Sequence, residues 1–422
     1  MDPDRQSAAP ARSGQAVSEN TGAPPRRLVL IGALVLALAA FRYLHELAKL
    51  LVEAPFIDFG AFYAFTTALW QGVNPFDAAE MMRVDAVLGI RRAGASPTFT
   101  PAGYLVFLPM QALPYLVSRM LWLLVSQLSL AAAVVMLARR FQPGRLACLA
   151  GLVVVFGYQP IFEDFALGNL NSFVLLLLTL GVLATVRGRL LAASVPLSLA
   201  ANLKPQYALL IPFMSWIGFP LTAALTLVFV VGECLLALAF LGWGWVPGYL
   251  EFLTVGSRGL HAWTMNLSPH AMLHRLVGSE GPAPVIDGIA IGASLTVIIA
   301  VMWATVRVDG EEGRLAAWAT AIAALPLVSP LTEENHLVVL LIPMLFVIAR
   351  LDRLPGRGDA ALLVVATVLL ASRYSVDSFS AFARGPASLA YGGKVLGAAA
   401  LAVLAARLTR PEVVSVPSRA WL

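Results

Sequence analysis

Apolar residues gather in runs near 28–50, 115–138, 146–162, 170–186, 190–203, 205–217, 220–242, 285–306, 315–330, 337–349, 360–372 and 387–406. Charge or Pro/Gly punctuation bounds each run, and each predicts a helix. Several fall short of the roughly 20 residues that cross a bilayer. The pair flanking Lys204-Pro205 is the most informative. At about 1.5 Å per residue each of the two reaches about 20 Å into a hydrocarbon layer about 30 Å thick. They fold either as two short helices meeting at depth or as one helix kinked at Pro205.

The arginines separate these alternatives. Two passes place Arg307, Arg314, Arg350, Arg353, Arg357, Arg407 and Arg410 on the side of Arg26, Arg27, Arg139, Arg140, Arg145, Arg187 and Arg189. One pass sends every later cluster to the opposite side. The positive-inside rule favours two, hence about twelve transmembrane helices with both termini in the cytoplasm. The expected fold class is all-α, a polytopic membrane protein with helices in its outer-face loops. Residues 1–25, rich in Ser, Ala, Pro, Gly and charge, are expected to be a disordered cytoplasmic tail, 26–410 the membrane domain and 411–422 a second cytoplasmic tail. Ala37-Leu38-Ala39 resembles a signal-cleavage site, but the acidic-containing leader and the continuation to Leu51 fit an uncleaved anchor better.

Composition agrees. Of 422 residues, 59% are hydrophobic and only 13% charged, against about 25% charged in soluble domains. The net charge of +5 is what cytoplasmic anchoring leaves behind, and without a basic stripe interleaved with aromatics it gives no argument for nucleic acid. Cys148 and Cys234 lie in apolar runs with no partner at metal-ligand spacing, so neither a disulfide framework nor a zinc site is indicated.

This topology leaves two long outer connections, 52–114 and 242–284, and long polar loops are where chemistry is usually sited. In the first, Asp58 sits in Phe56-Ile57-Asp58-Phe59-Gly60-Ala61-Phe62-Tyr63. A carboxylate among aromatics is partly desolvated and more basic, which suits a proton acceptor; the plainer reading is an N-cap for a helix over 59–70. The aromatics of that helix either lie against lipid or pack on the bundle. Lys204 at the tip of two short helices costs about 2.5 to 3.5 kcal/mol at mid-membrane. It therefore calls for an anion such as a lipid phosphate, unless it snorkels to the interface.

Glu163-Asp164 and Asn169-x-Asn171 collect acids and amides at one outer edge, where amides can grip sugar hydroxyls or cap a helix. The two acids form only a weak metal pair. Ser268 and Pro269 open a predicted helix carrying His270, His274 and Arg275. His270 and His274 at i, i+4 could share a metal; with no Glu between them in the protease pattern, no metal is expected. Arg275 is a candidate phosphate contact or a surface ion-pair partner. His336, after Ser329-Pro330-Leu331-Thr332-Glu333-Glu334-Asn335, could orient or neutralise a phosphate or simply face solvent.

Short islands, in order along most of the chain, resemble glycosyltransferase family 87, multi-pass enzymes of the GT-C type that include mycobacterial phosphatidylinositol-mannoside mannosyltransferases. They are Asp58 with Phe62-Tyr63 and Gly72-Val73-Asn74-Pro75-Phe76, then Phe99-Thr100-Pro101 with Pro109 and Pro114, and Gly168-Asn169-Leu170-Asn171, which stands where the family commonly has Gly-Gln-x-Asn. Leu203-Lys204-Pro205, Asn266 with Ser268 and Arg275, and Ser329-Pro330 with His336 continue the series. The resemblance implies a GT-C-type catalytic domain over 26–410 in the plasma membrane. It also implies inverting transfer of a sugar, mannose-like, from a polyprenyl-phosphate carrier to a glycolipid or glycan on the outer or periplasmic face. It implies no cofactor, no metal and no nucleic-acid partner. Asp58 would be the base; Lys204, Arg275 and His336 would hold the donor phosphate; Glu163, Asn169, Asn266, Ser268 and Tyr63 would position sugar or acceptor. A transporter or flippase of lipid-linked glycans is the rival from another class, since broken helices with a buried Lys also build transport sites. A glycan polymerase shares the fold style.

Overall fold

The structure, a computed structural model, describes residues 26–90, 99–254, 263–278, 283–306, 308–354, 356–374 and 379–409. The expected tails at 1–25 and 411–422, together with Arg307 and Arg410, lie outside the described residues. Of the described residues 82% are helical and none is in a strand. In chain order the helices are α1 (Arg26–Glu53), α2 (Ile57–Trp70), α3 (Ala78–Leu88), α4 (Pro101–Phe107), α5 (Tyr115–Phe141), α6 (Arg145–Gly157), α7 (Gln159–Leu167), α8 (Asn171–Val186) and α9 (Leu190–Leu203). There follow α10 (Leu210–Trp216), α11 (Pro220–Leu241), α12 (Val246–Thr254), α13 (Pro269–Val277), α14 (Ala283–Ala304), α15 (Gly310–Val328), α16 (Leu341–Ala349), α17 (Arg357–Ala371), α18 (Ser388–Tyr391) and α19 (Gly393–Arg407).

Every apolar run read from the sequence is helical, but the lengths sort them into two kinds. Among the described residues five segments are long and apolar enough to cross a membrane: Arg26–Glu53, Tyr115–Phe141, Arg145–Leu167, Pro220–Leu241 and Pro284–Ala304. Several of them turn large apolar side chains outward, as Leu30, Leu34, Leu38 and Phe41 do at helical spacing on α1. The shorter helices are buried instead: α8 is covered along almost its whole length, and α15, α16 and α19 pack into the same core. A helix apolar all round belongs inside a bundle.

The Lys204 break is a reversal of direction. Ser194 Oγ donates to Thr222 O and Asn202 Nδ2 to Val230 O, so α9 runs parallel to α11. The tight turn at 217–219, closed by Phe219 N–H to Met214 O, sends α11 back along α10. The helix stops at Leu203, Lys204 is extended (φ −140°, ψ 98°), and a 3-10 turn over Pro205–Leu209 leads into α10. A proline that has no N–H to donate and that pushes its predecessor out of the helical region explains the stop.

Polar groups then divide between the two ends of the bundle. At one end Arg140 pairs with Glu311 (2.7 Å) and Glu312 (3.2 Å), and Arg350 binds Glu312 (2.9 Å) and the Phe141 carbonyl (2.7 Å). At the other, where α15 delivers Ser329 and α9 delivers Lys204, the candidate site residues collect.

Candidate functional site

The first wall of the site is built by the entry to α2. Phe56 is held in the left-handed region (φ 45°), donates its N–H to Ala166 O (3.1 Å) and carries the Arg119 guanidinium 4.7 Å over its ring. Gly168 (φ +66°) lies so close that a Cβ there would meet Phe56 and Phe59 at 2.7 and 2.8 Å. Trp122 Nε1–H bridges the carbonyls of Gly168 and Asn169 at 3.0 and 3.2 Å. The turn between α7 and α8 is thus fixed against the start of α2, and Asn169 Nδ2 donates to Asp58 Oδ2 at 2.5 Å. Asp58 lies inside the first turn of α2, which begins two residues earlier than the sequence suggests, and its side chain does not cap the helix. Burial raises the basicity of the Asp58 carboxyl, opposed by the Asn169 hydrogen bond and the nearby Lys204 charge. Among the described residues its Oδ1 accepts no hydrogen bond.

The facing wall comes from Lys204 and the 3-10 turn Glu334–Leu340. Lys204 is 8% and His336 4% exposed. Nζ of the lysine lies 2.8 Å from His336 Nε2, while the Glu333 N–H points to Nδ1 of the same ring at 3.3 Å. A neutral imidazole offers one acceptor nitrogen, so it cannot satisfy an ammonium and a backbone donor together. The pair is rich in donors. Glu333 completes the cluster, its Oε1 3.7 Å from His336 Nε2. The charges of Glu333, Asp58 and Asp164 all act on Lys204. Burial, then the Asp58 charge, pushes the Glu333 carboxyl up to about 7, although Lys204 opposes the shift. Asp58, Asn169, Lys204, Glu333 and His336 therefore form one electrostatic unit from four separate chain segments.

The remaining expected residues divide. Asn266 and Ser268 are fully buried and their polar atoms serve the loop that leads to Glu333 and His336. Asn266 Nδ2 donates to Pro330 O (2.9 Å), its Oδ1 accepts from Ser268 N and Thr332 N (both 3.0 Å), and Ser268 Oγ donates to Pro330 O (2.9 Å) while capping Ala271 N (3.1 Å). Arg275 donates from Nη1 to the carbonyls of Trp263 (3.0 Å) and Asn266 (2.6 Å) and lies over the Tyr391 ring; its Nε and Nη2 find no partner among the described residues. Tyr63 donates its hydroxyl to Leu113 O (2.8 Å) within the packing of α2, where Phe59, Phe62 and Phe65 are also buried and Trp70 alone of that stripe is largely exposed. Glu163 acts electrostatically on Glu333, Glu334 and Lys394.

Three roles escaped the sequence reading. Asp164, grouped there with Glu163 as a metal pair, spends both oxygens on the start of α8: Oδ1 accepts from Asn171 N and Nδ2 and Oδ2 from Ser172 N and Oγ, all within 2.6–3.0 Å. The cap therefore comes from seven residues upstream rather than from Asn169. Glu333 was seen only as part of a polar interruption. Lys394, fully buried, binds Glu334 at 2.7 Å and the Ser372 carbonyl; a cation inside the apolar run 387–406 was the available signal.

The family model for glycosyltransferase family 87 matches residues 98–330. That stretch holds Asn169, Lys204, Asn266, Ser268 and Arg275, and ends just before Glu333 and His336. No curated protein and no solved structure matches the chain.

Proposed function

The chain belongs to glycosyltransferase family 87, and from that premise we propose that it moves a mannose-type hexose from a polyprenyl-phosphate carrier to a hydroxyl of a glycolipid or glycan at the outer face of the plasma membrane, with inversion. The observation that carries this reading is the pairing of a basic carboxylate with a donor-rich lysine–histidine pair across one buried cluster. Asp58 takes the acceptor's hydroxyl proton as that oxygen bonds to the anomeric carbon. The bond from that carbon to the carrier phosphate breaks on the opposite face, and the phosphate leaves with the bonding electrons.

Lys204 and His336 suit the departing phosphate. An anion between Nζ and Nε2 would accept from both, relieving the surplus of donors on the imidazole ring. In a low-dielectric site such contacts act most strongly where charge develops, on the leaving oxygen. Arg275, with Nε and Nη2 unengaged among the described residues, stands as a second cation behind the loop at 329–332. Asn169 positions the base. The twelve-pass GT-C topology belongs to the same proposal: the arginine-rich end of the bundle faces the cytoplasm and the site end faces out.

The test is transfer in reconstituted vesicles containing polyprenyl-phosphate mannose and a bacterial glycolipid extract, with the native chain and Asp58→Asn compared. Native transfer with a loss of about 10²-fold or more in the variant is expected for a general base. Undiminished transfer by Asp58→Asn removes the base; donor uptake into vesicles with no new glycosidic bond replaces transfer by transport.

A further inference from the structure

At the rim of the site end, His270 and His274 on α13 meet Asp287 from the first turns of α14. The Nε2 atoms of the two histidines are 3.1 Å apart, and Asp287 Oδ1 lies 2.7 Å from the first and 2.9 Å from the second. Three ligand atoms thus converge on one point from two helices, the only such group of His, Cys, Asp and Glu among the described residues. The sequence shows the i, i+4 histidines and gives no reason to choose Asp287, which lies thirteen residues beyond His274.

We propose that His270, His274 and Asp287 form a zinc site that clamps α13 to α14. Two imidazoles and one carboxylate are a donor set suited to zinc, whereas calcium and magnesium favour all-oxygen shells. Four-coordinate zinc with bonds of about 2.0–2.1 Å holds its ligand atoms about 3.3 Å apart. The triangle therefore needs to open by only a few tenths of an ångström to admit the ion. Side-chain exposures of 15% and 14% for the histidines and 39% for Asp287 give the ion a path in and leave room for water as fourth ligand. Replacing two ring protons by one divalent ion also changes what holds the corner together, from two hydrogen bonds on one oxygen to three coordinate bonds.

The clamp has a structural purpose. The start of α13 carries Ser268 and adjoins Asn266, both bonded to Pro330 O. Those contacts set the loop that leads into Glu333 and His336. Fixing α13 on α14 fixes that loop from outside, so the metal acts at a distance from the transferring atoms and independently of how the sugar is moved.

The experiment uses the full chain, purified without a polyhistidine tag, equilibrated with micromolar Zn²⁺ and freed of excess metal. Elemental analysis is expected to find about one zinc per native chain and less than a tenth of that in Asp287→Asn and in the His270→Ala/His274→Ala pair. Zinc should raise the Tm of the native chain by several degrees and leave both variants unmoved. Cobalt(II) added to the native chain should give the intense visible absorption of a four-coordinate site, a readout that needs no variant. A native chain that retains no zinc and shows only the weak spectrum of hydrated cobalt overturns the proposal in favour of a proton-only cluster. Equal zinc retention by native chain and variants overturns it as well, by placing the metal elsewhere.

Discussion

Asn169 reaches from the turn between α7 and α8 to within 2.5 Å of the Asp58 carboxylate. Its own Oδ1 is engaged by Leu170 N (2.7 Å) and Asn171 Nδ2 (3.0 Å), so the amide has one workable orientation and must present its NH₂ to Asp58. The carboxylate is held by one oxygen, and among the described residues the other accepts no hydrogen bond, as the proposed base requires. A positioning residue with a fixed orientation is worth more than a flexible one, because the geometry is set before substrate arrives.

The acid limb of the rate profile follows from Asp58. As the proposed base it works only when ionised, and burial raises its basicity, so activity should fall at a higher pH than an ordinary carboxylate near 4 would dictate. The Asp58 charge is among the causes that push Glu333 up to about 7, so Asp58 ionises first and Glu333 is still protonated while it does. Glu333→Gln should therefore leave the acid limb of kcat/KM in place. A limb that moves to lower pH in the folded variant would show the two acids ionising together.

Lys204→Gln should lower kcat by about 10²- to 10³-fold, the usual consequence of deleting one preorganised charge contact, about 2.7–4 kcal/mol, in an excluded site. His336→Ala should cost less. Because the two side chains touch at 2.8 Å, the double variant should lose less than the sum of the single losses. Steady-state transfer kinetics on the four chains checks this; strict additivity would place the two residues in separate tasks.

Gly168→Ala should destabilise by about 2–4 kcal/mol, combining a left-handed backbone conformation with overpacking against Phe56 and Phe59. Thermal unfolding in detergent measures the loss. Since the same contact seats Asp58, the proposed base, transfer should fall further than the unfolded fraction explains.

Asn266→Ala leaves the backbone donors of Ser268 and Thr332 without their buried acceptor, while Pro330 O keeps the Ser268 hydroxyl, at about 2–4 kcal/mol in all. Asn266→Asp keeps the acceptor and should recover part of that stability. A Tm shift ordered native, Asp, Ala confirms that the residue staples two loops.

Hydrophobic patterning located the helices well, since a run of apolar residues has few alternatives to helix in a membrane, where each backbone polar group must be satisfied within its own segment. It was less informative about which runs cross. Arg26–Glu53 and Asn171–Val186 both carry long apolar runs, yet the first exposes most of its surface and the second almost none. Run length hinted at the difference, and packing settled it.

For the proposed site, the sequence by itself drew attention to Asp58, Lys204 and His336, because an ionisable group in an apolar neighbourhood stands out wherever its partner lies. Pairings were left to the tertiary structure. Asn169 meeting Asp58, Asp164 capping α8, Glu333 joining Lys204, and Asp287 closing the corner with His270 and His274 all join groups from different segments. Pattern along a chain reports the environment of each residue, whereas partnership depends on how helices of fixed length turn and stack, and those rotations leave no local mark on the sequence.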